Sequence, residues 1–227
     1  MTDDIVDRIA EVTPGLDALR RRRPITREQL QASFDALFRP VSVQHASQAE
    51  RELIAAFATG LAGADDPTAL FYADRAEAAD PERAAVVRAE LAGAAATGPF
   101  GAYTEAGLQG ESTDGLRYAP DATATDALGG RLAAALAHAH LLVLRPREAS
   151  AADLGRLLDA GWTPDGIVTV SQLVSFLAFQ QRVVTGLRVL AAAGLATATT
   201  TATTATTAAA TTATTDPTAA STEEEAA

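Results

Sequence analysis

Four residues carry the side chains from which polar chemistry could be assembled: Glu52, His138, His140 and Arg182. A carboxylate raised in pKa by burial acts as a general base, an imidazole moves protons near neutrality, and a guanidinium holds an oxyanion. Thiol chemistry is closed to the chain, which has no cysteine and whose only sulfur is Met1. The same absence removes a disulfide framework and a cysteine zinc site. His138 and His140 stand two apart, a spacing that sends helical side chains to well-separated faces, so joint chelation is not expected. One of the pair should face the core or a subunit contact, and His45 should lie at the surface. Asp65 and Asp66 precede Pro67 and read as a helix cap, with Asp66 as the N-cap, rather than as a metal site. Arg182 sits in an apolar run and needs a partner, for which Glu52 is the expected carboxylate; solvent exposure near the helix end is the alternative. Glu52 itself reads either as that base or as a carboxylate stabilising the start of its helix. Neither a cofactor nor a metal is expected.

The elements that must position these residues are helices. Ser47 with Glu50 forms a capping-box pattern ahead of Glu52, and Ser150 with Asp153 forms another start. Asp80 before Pro81 and Thr163 before Pro164 each set a capping side chain ahead of a first-turn proline. Gly161 and Gly194 stand where helix-ending glycines stand. Alternation suited to a sheet is scarce, so the expectation is an all-α domain of about six to eight helices with a core of Leu, Val and Ala. The helix from Pro164 to Leu190, carrying Phe176 and Phe179, is apolar around most of its circumference and is expected to be buried in the core or between subunits. Residues 98–130 read as a long loop, either a surface excursion or a lid or partner-binding segment. Arg20 to Arg23 read as a solvated helix end before Pro24.

The stretch ELIAAFATGLAGADDPTALF from Glu52 has the spacing Glu-x11-Cys-x2-Cys-x3-His, with Ala64, Pro67 and Phe71 in place of the two cysteines and the histidine. In this it resembles the alkylhydroperoxidase D and carboxymuconolactone decarboxylase (CMD) superfamily. A second segment, from LAAALAHAHLLVL through AGWTPDGIV to the long apolar helix, is similar to that superfamily's C-terminal helices. The two cover roughly a third of the chain, and the nearest likeness is to cysteine-free members of uncharacterised activity. The resemblance implies an alkylhydroperoxidase D-like helical domain at 47–194, after a helical lead-in at 1–46 and before a disordered Ala/Thr-rich tail at 195–227. It also implies a homo-oligomer, commonly a trimer or hexamer, and a glutamate that has lost the cysteine it served.

Net charge is −11, with four of the acids in the tail. An acidic body is poorly matched to nucleic acid or anionic lipid, so neither is an expected partner. The acidic start MTDDIVDRIAEV lacks a signal-peptide pattern, and the apolar stretch from Ile167 to Phe179 is short of the roughly 20 residues of a span, so a cytoplasmic protein is expected. Three readings of function remain. One is a binding or accessory protein without peroxidase activity, with a cysteine-containing paralogue as a possible partner. Another is a cofactor-free acid-base enzyme acting on a small carboxylated or lactone substrate, and the last is a structural oligomer with no active site.

Overall fold

The computed structural model describes residues 4–194, which are all-α, with no strand among them. The expectation of a disordered tail at 195–227 lies outside the described residues. Ten α-helices follow in order: α1 Ile5–Ala10, α2 Pro14–Arg20, α3 Pro24–Phe38, α4 Gln48–Gly60, α5 Pro67–Ala79, α6 Pro81–Ala94, α7 Ala122–Leu128, α8 Gly130–Leu144, α9 Ala151–Asp159 and α10 Pro164–Ala192. The capping patterns form as read. The Ser47 hydroxyl accepts from the Glu50 N–H while Glu50 accepts from the Ser47 N–H, and Asp66, Asp80 and Thr163 each cap a helix whose first turn carries a proline.

Helix α4 is the axis of the core. Every residue from Arg51 to Gly60 is buried, because LIAAFATG is small or apolar on every side and lets α3, α5, α6, α8 and α10 close around it. Gly60 permits a close approach of α6: a Cβ there would stand 2.6 Å from Leu91 Cδ1. The Thr59 hydroxyl is satisfied within its own helix by Ala55 O at 2.8 Å.

The long helix α10 buries one side, with Ile167, Val170, Leu173, Val174, Leu177, Val184 and Leu187 inward. Gln180 lies among them and accepts a 2.7 Å bond from the Tyr72 hydroxyl of α5. Its other side is polar more often than the sequence pattern suggested, since Gln172, Ser175 and Arg182 separate the exposed Val168, Phe179 and Val189. At 29 residues it is longer than the apolar stretch counted from sequence, and by length and composition it matches a membrane span. Its inner face is nonetheless packed on α4, α8, α1, α3 and α5, as in the core helix of a globular protein.

Two segments outside this core of helices add to it, and one reading within them, a wholly solvated arginine run, is corrected. The lead-in is part of the core: Ile5, Val6, Ile9, Leu16, Leu30 and Phe34 pack in the same cluster as α4 and α10. Within the arginine run, Arg20 is buried and pairs with Asp4 and Asp7, while Arg21, Arg22 and Arg23 are exposed. A charge with two carboxylates in reach can be buried where a solvated one cannot. Residues 98–130 are also more ordered than a loop. Gly101 and Thr113 pair through bonds of 2.8 and 3.1 Å, Ala106–Glu111 form a 3-10 turn, and α7 begins on an Asp121 cap.

Candidate functional site

Glu52 lies on the second turn of α4 and is only 3% exposed. Both of its oxygens are engaged. Arg75 of α5 donates through Nε at 2.8 Å and through a second, shorter bond from Nη2, and Gln48 donates from Nε2 at 2.6 Å. The Arg75 guanidinium in turn lies 5.3 to 5.6 Å from the rings of Phe38, Phe34 and Phe71. Phe71 thus forms one wall of an aromatic enclosure around a bidentate ion pair. Such a carboxylate is committed to three structural hydrogen bonds and is buried, which suits holding α4 to α5 better than meeting a substrate.

Arg182 is not its partner. It is exposed and donates to Ala178 O of its own helix at 3.0 Å. The cause is helical phase: with Gln180 and Val184 inward, the residue midway between them faces out. Of the remaining motif positions, Ala64 and Asp65 border a small apolar cleft of about 250 Å³ between α4, α5 and α6, and Pro67 opens α5. Asp66 caps that helix through Thr68 N at 2.9 Å.

The two histidines are both buried, His138 at 6% and His140 at 2% exposure, where one had been expected inward. Their rings do go to different neighbours. His138 Nε2 meets Ser171 Oγ of α10 at 3.1 Å, while the His140 ring lies 5.4 Å from that of Tyr118. Each retains a buried ring nitrogen without a hydrogen-bond partner, Nδ1 of His138 and Nε2 of His140. Burial pushes both imidazoles below their usual 6.5; nearby Asp153 partly opposes this at His138, and a backbone bond with Ala94 does so at His140. Both are therefore neutral at pH 7. His45 is half-exposed and bonds Thr163 Oγ1 at 3.1 Å.

A cleft of about 360 Å³ runs along both histidines between α8, α9 and residues 117–119. Ala134, Ala137, His138 and Leu141 line it from α8 at the three- and four-residue spacing of one helix face. Leu157 faces them from α9, and Tyr118 closes one end beside His140. The polar rim has three arginines and Asp153. Glu148 fixes two of the arginines: it accepts from Arg145 Nε at 2.7 Å and Nη2 at 2.6 Å, and from Arg117 at 2.6 and 3.1 Å. Hydrogen bonds from Arg145, then from Arg117 and the Ala102 N–H, hold the Glu148 carboxyl down to about 2 despite its burial. Arg145 also donates to Gly115 O at 2.9 Å, which anchors the 115–119 wall. That wall comes close because Gly115 has no side chain; a Cβ would fall 2.3 Å from the Phe100 ring. The third arginine, Arg156, is bound to Asp153, which also accepts from Ser150 N at 2.9 Å and Ser150 Oγ at 2.6 Å.

The four candidates therefore fall in three places: Glu52 in the core, Arg182 at the surface, and the histidines together along one cleft. Sequence reasoning missed Arg75, Arg145 and Arg156. The three-residue spacings Arg145–Glu148 and Asp153–Arg156 were legible signals, whereas the contact of Arg75 with Glu52, 23 residues away, had none. No family model matches this chain, and neither does any curated protein or solved structure.

Proposed function

We propose that this chain is a small-molecule-binding protein without thiol redox chemistry, with the cleft along His138 and His140 as its binding site. The observation that carries the reading is the pair of buried, neutral histidines that border the cleft and each keep a ring nitrogen unpartnered. Buried polar atoms in folded proteins nearly always have partners, and an exception calls for an explanation such as a bound molecule, ion or water. The resemblance to the CMD superfamily adds an accessory role within this proposal, with a cysteine-bearing relative as the expected protein partner.

An acid-base enzyme built on Glu52 draws no support from the geometry, since the carboxylate is buried, is engaged by Arg75 and Gln48, and does not line the cleft. The reading is tested by ligand-observed NMR with a set of small polar organic molecules, on wild-type protein and on His138→Ala. Binding by wild type that weakens in the variant supports it. Absence of any binder, or binding indifferent to His138, contradicts it.

A further inference from the structure

We infer that an open cleft between α3, α4 and α10 is an anion site centred on Arg51, and that it takes a small monoanionic organic acid with its carboxylate on the guanidinium. The site is separate from the histidine cleft and does not depend on it.

Three arginines are buried among the described residues: Arg20, Arg51 and Arg145. Arg20 has Asp4 and Asp7, and Arg145 has Glu148. Arg51, 5% exposed, has no carboxylate paired with it among the described residues. Its neighbours in sequence conceal this. Arg51 stands between Glu50 and Glu52, but successive helical side chains leave α4 about 100° apart, and both glutamates are engaged elsewhere. Glu50 accepts from Arg131 Nε and from the Ser47 N–H, both at 2.7 Å, and Glu52 accepts from Arg75 and Gln48.

Carbonyl groups hold the guanidinium in place. Nε donates to Ala46 O at 3.1 Å, and Nη1 donates to Leu37 O in the last turn of α3 at 2.8 Å. These oxygens solvate the charge without cancelling it, and burial lowers the Arg51 pKa with only the Glu50 charge opposing. Nη2 has no partner among the described residues and, unlike the unpartnered imidazole nitrogens, is open to solvent. A buried cation without a counter-charge is costly, and a bound anion supplies one.

The cleft has a volume of about 410 Å³ and is lined by Ser33, Ala36 and Leu37 of α3 and by Thr169, Gln172 and Phe176 of α10. Arg51 is the one charged residue in that lining. On α3, Asp35 is taken by Arg39 and Gln31. Asp165, one turn before Thr169 on α10, has a side chain 78% exposed and lies 3.6 Å from His45 Nε2, so water screens its charge. The hydroxyls of Ser33 and Thr169 donate within their own helices, to Gln29 O at 2.7 Å and Asp165 O at 2.8 Å. Gln172, exposed at the rim, adds a neutral amide donor, and Ala36, Leu37 and Phe176 add apolar surface. One cation, one amide and an apolar wall suit a single carboxylate on a ring or short chain better than a phosphate, which brings nearly two charges and more acceptor oxygens.

NMR titration of the full chain, followed through the Arg51 Nε–H and the amides of α3 and α10, tests this with benzoate, its neutral amide benzamide, and inorganic phosphate. Benzoate should bind in the range of about 1 mM. It should bind at least about tenfold more tightly than benzamide, as expected when a charge-assisted pair becomes neutral, and more tightly than phosphate. Replacing Arg51 would also remove its bonds to Leu37 O and Ala46 O, so the charge is tested from α10 instead. Gln172→Glu, at an exposed position, should keep the urea midpoint near wild type while weakening benzoate at least about tenfold, because it sets a competing carboxylate at the rim. His138→Ala should leave benzoate unmoved, which separates this site from the histidine cleft. If benzamide binds as well as benzoate, or if benzoate does not bind at about 10 mM, the anion site is overturned. Phosphate binding as tight as benzoate would overturn the organic acid. Benzoate lost in His138→Ala and kept in Gln172→Glu would place the acid in the histidine cleft and overturn the site at Arg51.

Discussion

At the scale of single residues, the ion pair of Glu52 with Arg75 decides what Glu52 can do. Removing Arg75 strands a carboxylate that is nearly fully buried, so Arg75→Ala should cost about 2–4 kcal/mol in urea denaturation, slightly below the usual range for buried pairs because the Arg75 side chain is partly exposed. Arg182→Ala should stay within about 0.5 kcal/mol. A reversal of that order would restore Arg182 as the partner of Glu52. The histidines give a pH signature. Their folded-state pKa values lie below the unfolded value near 6.5, so both states are neutral above it and the pair contributes nothing to the pH dependence there. As pH falls through 6.5 the unfolded chain takes up protons that the folded chain does not, and stability declines. The carboxylates act lower. Asp4, whose burial is outweighed by its bonds to Arg20 and the Asp7 N–H and by the charge of Arg27, has a folded pKa below 3.8, so its contribution is full above 3.8 and is lost as pH falls through the folded value. Urea midpoints from about pH 8 to pH 5 should therefore be flat and then fall, and a profile that rises on acidification would contradict neutral buried imidazoles.

At the scale of elements, the helix starts were the most legible part of the sequence because a cap is a local device. Ser47 with Glu50 and Asp66 with Pro67 need only their own first turn, and Ser47→Ala or Asp66→Ala should each cost about 1 kcal/mol, measured by thermal or urea unfolding. What lay outside sequence reasoning depends on partners distant along the chain. Arg20 sits in a run of four arginines that reads as a solvated end, and its burial follows from Asp4 and Asp7 on α1. Helix α7, ATATDAL, is short and carries Leu128 as its single large apolar residue, so its pattern is weak; Asp121, bonding Ala124 N at 2.8 Å, was the one sign of it. In α10 the composition was clear and the phase was not. Polar Gln180 faces inward because Tyr72 supplies a donor, while apolar Phe179 is left 46% exposed.

At the scale of the whole molecule, that phase separates two questions about assembly that the sequence left joined. Phe176 is buried and Phe179 is not, so Phe176→Asp should unfold the chain while Phe179→Asp leaves it folded. If α10 joins subunits in the proposed homo-oligomer, light scattering should report a smaller, folded species for Phe179→Asp; a wild type that is already monomeric would remove the oligomer. The candidate site was legible only in part. His138 and His140 were visible as residues, but their shared cleft is made by α9 and by a wall at 115–119 that Glu148 pins through Arg145 and Arg117, and such convergence leaves no mark on spacing. With no cysteine in the chain, turnover of alkyl hydroperoxides by thiol donors should not exceed a buffer blank, and clear turnover would overturn the redox-inert reading.

The claim that this cleft is a binding site is tested most directly by the imidazoles themselves. Histidine ring-nitrogen NMR spectra of uniformly labelled protein, recorded with and without the tightest binder from the small-molecule set, report on each ring nitrogen separately. The prediction is that His138 Nδ1 and His140 Nε2, the two nitrogens without partners, shift on binding while the ring of His45 does not. Binding that leaves both nitrogens unmoved, or that shifts only His45, would contradict the assignment of this cleft.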